Sequence, residues 1–340
     1  MRTRFAVAFL AAFLAGFVDT APSVARTAPP ADPPALLAAL PAGDAIVVVD
    51  VPMLLDTTIP AVLAKRPESK AKLDANVARL KADFGLDLHT VRSLALSATV
   101  FGMNADWVVA MDGAFEAVVS PDALGKTLDA YVARTPRLSL RRESYEGVTI
   151  FVLPDKASGV ESSAVAVLDA KTALYGSPTT VRRAIDVRKG KGPTAASNAV
   201  LVEALGQAPA TAPVRLGVVL DAVVKAQRAD DPNDMFLKTL AEVRYVFGSL
   251  AATSVGGVAL RISARTTKPE HAKAVKDTID GLVALGRSSL DGKPELAALV
   301  DLLTVTVSAN DVVLAADVPP EKLDTLFQLV DKNRTVIAGD

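Results

Sequence analysis

The order of apolar and polar positions from residue 45 onward predicts alternating strands and helices. The run AIVVVDV at 45–51 is continuously apolar, which is typical of a buried strand. The segment SLALSAT at 93–99 alternates instead, with Leu94 and Leu96 on one side. Further strands are predicted at 106–113, 147–154, 163–169 and 172–176, and helices at about 73–84 (stopped by Gly85), 121–133 and 178–187.

The sequence after residue 212 predicts the same order again. A strand at 213–221 is followed by helical sequence to about residue 243, with a break at Asp231-Pro232. A hairpin then joins YVFGSLAAT to the strand 257–264. The remaining elements are a helix over about 269–286 with Ala272, Val275, Ile279 and Val283 in register, strands at 303–309 and 311–318, and a last helix with Leu323, Leu326, Phe327 and Val330.

This recurrence predicts an α+β protein with an internal duplication. We expect two similar halves, each a mainly antiparallel sheet with helices on one face and a ferredoxin-like character, because hairpins dominate both. The halves span 45–190 and 213–335. The segment 191–212 is predicted to join them and to hold a short helix near 198–206.

The N-terminal residues resemble an export signal. Arg2 and Arg4 precede the apolar run FAVAFLAAFLAGFV, and small residues lead to a cleavage site after Ala25. We therefore predict a signal peptide at 1–25 and a periplasmic or secreted protein, with a retained anchor as the alternative. The five prolines of 26–44 predict an extended spacer, with folded structure from about Asp44.

Composition narrows the chemistry that we expect. The 340 residues include no cysteine and two histidines, so thiolate chemistry is excluded and any zinc site or serine–histidine pair would need His89 or His271. The formal charge of −1 and the 5% of aromatic residues argue against a nucleic-acid partner. No second apolar run is long enough to span a membrane. We expect no cofactor, no metal and no catalytic residues.

A recurrent proline explains the one stretch that resembles a nucleotide-binding loop. SPDALGKT at 120–127 ends like a Walker A motif, but the first glycine of that motif is replaced by Ser120. Proline is favoured in the first turn of a helix, and the same strand-to-helix punctuation recurs at Pro52, Pro178, Pro269 and Pro319-Pro320. We therefore predict that Gly125-Lys126-Thr127 lie inside a helix, with Lys126 facing water.

Four other patterns have simple structural interpretations. Ser69 and Lys72 form an S-x-x-K pair without the companion motifs of a penicillin-binding serine site. Asp230, Asp231 and Asp234 lack the glycine and glutamate of a calcium loop. In VRKGKGPT at 187–194, Gly190 is predicted to end a helix. The pairs Arg141-Arg142 and Arg182-Arg183 are predicted to be solvated, and the two histidines to be exposed or capping.

Several segments together resemble a group of exported bacterial proteins of unknown function. They are LPAGDAIVVVDV (40–51), FGLD (84–87), VLDAKTALYGSPTTVRRAID (167–186) and VVLAADVPPEKLDTLF (312–327), and the similarity covers most of 40–331. The resemblance implies an exported α+β protein. It implies no functional residues, because the group has no established activity.

The sequence favours a non-enzymatic binding or envelope-associated module, with an unknown protein or envelope component as its partner. Two alternatives stay open: an exported hydrolase of unfamiliar type, and an assembly subunit that pairs through a sheet. Convergent carboxylates in a deep pocket would favour the hydrolase. The binding residues and the oligomeric state are not indicated by the sequence.

Overall fold

The strands of a computed structural model join in one antiparallel sheet. The structure describes residues 33–84, 86–101, 104–113, 120–156, 161–221, 224, 235–290, 292, 294–325 and 327. Within these ranges the twelve strands are β1 (Ala45–Asp50), β2 (Val91–Phe101), β3 (Asn104–Gly113), β4 (Arg141–Tyr145), β5 (Val148–Pro154), β6 (Glu161–Asp169), β7 (Thr172–Gly176), β8 (Val214–Val218), β9 (Val243–Ala252), β10 (Val258–Thr266), β11 (Leu303–Ser308) and β12 (Asp311–Val318). The predicted α+β class and the antiparallel pairing are confirmed.

Helices occupy most of the connections. The α-helices of the described ranges are α1 (Pro33–Leu37), α2 (Ile59–Leu63), α3 (Pro67–Phe84), α4 (Pro121–Ala133), α5 (Pro178–Arg188), α6 (Ala199–Gln207), α7 (Met235–Leu240), α8 (Pro269–Ser288) and α9 (Pro294–Val300). A π-helical turn at Met53–Thr58 leads into α2. Within the described ranges, no helix combines the length and the apolar content that crossing a bilayer requires.

The strand order repeats outward from the centre of the sheet. It runs β11-β12-β10-β9-β8-β1-β2-β3-β7-β6-β5-β4, and β1 pairs antiparallel with β8 through partners such as Val47 and Leu216. From this central pair, β1-β2-β3-β7-β6 on one side matches β8-β9-β10-β12-β11 on the other, and the hairpin β4-β5 extends the first side. The predicted recurrence of elements is therefore visible in the pairing, while duplication as its origin stays a prediction.

The architecture differs from the expected one in two respects. The halves share a single sheet, because the continuously apolar β1 has neighbours along both edges, β2 and β8. Helices also cover both faces of the first half. Val181 and Ile185 of α5 pack with Ile46 on what we call the first face. Leu73 of α3 packs with Val49 on the second face.

The second face continues into the other half of the sheet. Val49 lies opposite Val214 of β8, which lies opposite Leu250 of β9. Alternate residues of a strand share a face, so Val246 is on the same side, opposite Ala264 of β10. The long helix α8 packs against this side of β10, β11 and β12. The second face therefore carries α2, α3 and α8 along one surface.

The predicted spacer and the predicted joint between the halves both contribute residues to the hydrophobic core. The expected spacer 26–44 includes α1, and Leu36, Leu37 and Leu40 are buried against the first face. Their spacing places the three leucines on one apolar side that faces the sheet. This pattern was not recognised from the sequence, because the neighbouring prolines favoured an extended spacer. The expected joint contains α6 at Ala199–Gln207, as predicted, and Leu201 is buried with the same cluster. The predicted signal peptide 1–25 lies outside the described residues.

The prolines begin helices as the sequence predicts. Pro121, Pro178 and Pro269 occupy the first turns of α4, α5 and α8, respectively. The residue before two of them completes the cap, since the Ser120 and Ser177 hydroxyl oxygens accept hydrogen bonds from backbone N–H groups three residues later. These bonds satisfy donors that a helix start leaves without a partner.

We expect Ser120→Ala to lower the free energy of unfolding by about 1 kcal/mol, because the Ala123 N–H loses its acceptor. The matched control is Lys268→Ala, since Lys268 precedes α8 at the same position but makes no side-chain cap bond. Its effect should stay within about 0.5 kcal/mol. Urea titration followed by circular dichroism measures both variants. Equal losses would contradict the assignment of the cap.

Candidate apolar binding site

The apolar row of α8 extends beyond the part of the helix that is buried. Ala272 and Val275 are 0% and 2% exposed, as expected for a helix laid on a sheet. Ile279, Val283 and Leu282 continue the same side at helical spacing, yet Leu282 is 49% exposed. The N-terminal half of α8 is thus packed on the second face, whereas the C-terminal half is poorly covered.

A cavity of about 430 Å³ lies between this part of α8 and the sheet. We call it the α8 cavity. Its walls come from α7, α8, the end of α9 and four neighbouring strands, β9 to β12. The side chains that define it are Val246, Ile262 and Leu314 from the sheet, and Ile279, Leu282 and Val283 from α8. It is partly open to solvent, and Leu282, one of the residues that line it, is also partly exposed.

The lining of the α8 cavity is almost entirely apolar. Among the described residues that line it, Thr239 and Thr278 supply the polar side chains, and none is ionisable. The Thr278 hydroxyl donates a hydrogen bond to the Ala274 carbonyl at 2.9 Å, within its own helix. An apolar molecule that fills such a space is transferred out of water, which is favourable in free energy. The arrangement suits binding by shape and burial.

Polar contacts hold both ends of α8 in place around the cavity. Near the start of the helix, His271 Nδ1 lies 2.7 Å from a carboxylate oxygen of Glu242 and 3.0 Å from the Thr267 hydroxyl. Near its end, Arg287 forms an exposed ion pair with Asp301 at 3.0 Å. The helix is therefore tied to the loops before β9 and β11, and the space beneath it does not depend on apolar contacts alone.

The first face of the same strands carries paired charges instead. Arg265 makes a bidentate pair with Asp311 at 2.6 and 2.7 Å and donates to the Tyr245 hydroxyl, which in turn donates to Glu203. Burial raises the pKa of Tyr245, and the Glu203 acceptor adds to the rise. The pKa of Arg265 is raised by its bond to Asp311. Both groups keep their ordinary charge at neutral pH, which stabilises the pairing.

The structure does not gather the sequence candidates into one site. Lys126 lies on α4, where Gly125 packs toward Phe151 and Arg142, so the GKT stretch is helical as predicted. Ser69 and Lys72 lie on α3, where Ser69 is half-buried and Lys72 is exposed. His89 is 3.8 Å from Asp56 and 37% exposed, far along the chain from His271. The three aspartates of 230–234 lie outside the described residues.

The remaining basic candidates have structural roles. Gly190 follows α5 with φ of 76°, the left-handed conformation that ends a helix, as predicted. Arg182 makes a bidentate pair with Glu143 of β4, and Arg142 pairs with Asp129 at 2.5 Å. These arginines are thus paired on a partly solvated surface. In the described ranges, no cluster of three or more histidine and acidic residues could hold a metal ion.

Sequence reasoning missed the α8 cavity, although it placed the residues of its roof correctly. Ala272, Val275, Ile279 and Val283 were predicted to lie in register along one helix, and the last three of them line the cavity. The available signal was the length of this row: apolar positions continue through Leu282 and Leu285 toward Gly286, near a helix end where polar residues are usual. An apolar row that continues beyond the buried part of a helix indicates either a cavity beneath the helix or a binding partner.

Comparison with known proteins finds only distant structural similarity. No family model matches the chain, and no curated protein sequence matches it. The solved structures similar to it include crystal form I of TP0453, with a TM-score of 0.43 and 9% identity over 90% of this chain and 98% of that chain. Crystal form III of TP0453 gives a TM-score of 0.45 and 10% identity, over 86% and 97%. Similarity at this level carries no information about ligands or partners.

Proposed function

We propose that this chain is an exported, non-enzymatic binding protein that takes an apolar molecule into the α8 cavity. The observation that carries the proposal is the cavity itself, which has a volume of about 430 Å³ and, among the described residues that line it, no ionisable side chain. Ligand sites typically span about 300–1,000 Å³ and are mostly apolar. Export rests on the predicted signal peptide at 1–25 and on the resemblance to exported bacterial proteins.

The ligand that fits this lining best is a hydrocarbon chain or another flexible apolar molecule. Branched aliphatic side chains such as Ile262, Leu314 and Ile279 surround the space, and they favour an occupant through burial and dispersion. A polar or charged end would gain nothing from the lining, so we place it at the opening beside Leu282. The hydrolase alternative gains no support here, since no carboxylate or serine side chain lines the cavity among the described residues.

A series of straight-chain alcohols and carboxylates tests this proposal. Each buried methylene contributes about 0.8 kcal/mol, so each added carbon should tighten binding by about fourfold until the cavity is full. Displacement of an environment-sensitive fluorescent dye measures the affinities, and calorimetry should give a negative heat-capacity change. Alcohols and carboxylates of equal length should bind alike. An absence of binding, or an affinity set by the charged end instead of the chain length, would contradict the proposal.

A further inference from the structure

The two edges of the sheet differ in how they are protected against pairing with another chain. β4 at one edge reads Arg141-Arg142-Glu143-Ser144-Tyr145, and its Arg142 and Glu143 are engaged in ion pairs. β11 at the other edge reads LTVTVS and contains no charged residue and no proline. Charges and prolines are the usual means by which edge strands avoid intermolecular pairing. In the described part of the chain, no strand lies beyond β11.

Three of the five large apolar side chains that are exposed in the described ranges lie in β11 or in the helix that packs on it. Val307 belongs to β11, and Leu282 and Leu285 belong to α8, whereas Val202 and Val255 lie elsewhere. Leu285 is 63% exposed, and α8 is the helix that packs on β11. A partner for this surface therefore needs two things: an unpaired strand for the edge and an apolar surface beside it.

We propose that the partner is a second copy of this chain, joined antiparallel through β11 about a two-fold axis that passes at Val305. The proposal goes beyond the ligand-binding function and does not depend on it. In this register Val305 faces its own copy, Leu303 faces Val307 and Thr304 faces Thr306. Every apolar residue of the strand then meets an apolar residue, and every threonine meets a threonine, which are favourable cross-strand pairs.

The geometry of such a pair follows from the faces of the sheet. Leu303, Val305 and Val307 lie opposite Ala316, Leu314 and Val312 of β12, and Val312 and Leu314 line the α8 cavity. A two-fold axis perpendicular to the sheet keeps the second faces of both copies on the same side. The two α8 helices therefore flank the joined strands on one side, where each can cover exposed leucines of the other. The two sheets, each of twelve strands in the described residues, join into one continuous sheet.

A single introduced cysteine reports the pairing directly, because the chain has none of its own. Directly opposite residues in antiparallel strands have Cα atoms about 4.5–5.5 Å apart, within the range that a disulfide spans. Val305→Cys should therefore form a covalent dimer under mild oxidation. Ser144→Cys on the exposed surface of β4, at the other edge strand, is the matched control and should form no covalent dimer under the same oxidation.

Val307→Lys supplies the second measurement, since it places an unpaired charge opposite Leu303 of the other copy. Val307 is 42% exposed, so the monomer should keep its fold and its melting temperature. We expect sedimentation velocity to show a dimer for the unmodified protein and a monomer for this variant, and the double variant Val305→Cys/Val307→Lys to lose the disulfide. A protein that is monomeric from micromolar to millimolar concentration would overturn the proposal. So would a dimer that survives Val307→Lys, or a Ser144→Cys variant that cross-links as readily as Val305→Cys.

Discussion

Gly286→Phe is expected to weaken the binding of apolar ligands at least tenfold, a loss of about 1.4 kcal/mol. Gly286 lines the α8 cavity, and a Cβ atom placed there meets no other atom within 4 Å. A phenyl ring at this position would occupy the space that the ligand needs. Dye displacement with the tightest-binding alcohol of the series measures the change.

The matched control for this variant lies five residues earlier on the same helix. Gly281 is also a helical glycine with no atom within 4 Å of an added Cβ, but it does not line the cavity. Gly281→Phe should therefore leave the affinity unchanged. Both variants should keep or slightly raise the melting temperature, because glycine is a poor helix former. If both lose binding equally, the ligand binds elsewhere or α8 itself is disturbed.

Gly176→Ala is expected to lower the free energy of unfolding by several kcal/mol, in the upper range for single substitutions. Gly176 ends β7, and a Cβ atom there would lie 2.4 Å from the Trp107 carbonyl oxygen and 2.7 Å from Val108 Cα. Both contacts are with backbone, so neither can move aside cheaply. The Trp107 carbonyl also accepts bonds from the Ser177 N–H and the Thr180 hydroxyl, which fix the start of α5.

Gly206→Ala is the control for this prediction, with the same chemical change and the opposite expected sign. Gly206 lies in α6, where an added Cβ meets no atom within 4 Å. Alanine should therefore stabilise the protein by about 0.5–1 kcal/mol, as expected for a glycine replaced within a helix. Chemical denaturation gives both values. A Gly176→Ala variant as stable as the parent would show that β3 and β7 approach less closely than described.

Local patterns were sufficient to predict most individual elements. The apolar run at 45–51 became β1, and the prolines at 121, 178 and 269 became helix starts because proline suits the first turn wherever it occurs. Such features depend on a few neighbouring residues. The pairing of β1 with β8 depends instead on strands more than 160 residues apart. The sequence showed only that the first is continuously apolar and that the second alternates. Periodicity indicates that a strand is buried without indicating its neighbour.

The α8 cavity escaped prediction for a related reason. Val275 and Leu282 are one helical row, and a helix that packs on a sheet has the same row as a helix that roofs a cavity. Only the distance between the helix and the sheet separates the two cases, and the sequence does not encode that distance locally. The helix α1 escaped prediction for another reason. The prolines of 26–44 indicated an extended spacer, although the spacing of three leucines favoured a helix.

The central position of β1 has a consequence for how the chain folds. Most of the first half lies between β1 and β8 in the sequence. The edge of β1 that pairs with β8 therefore stays unpaired until residues 214–218 have been synthesised. Contacts between segments so distant in sequence form slowly. A nascent first half therefore leaves one edge of this apolar strand unpaired during synthesis, which favours aggregation and makes assistance from a chaperone advantageous.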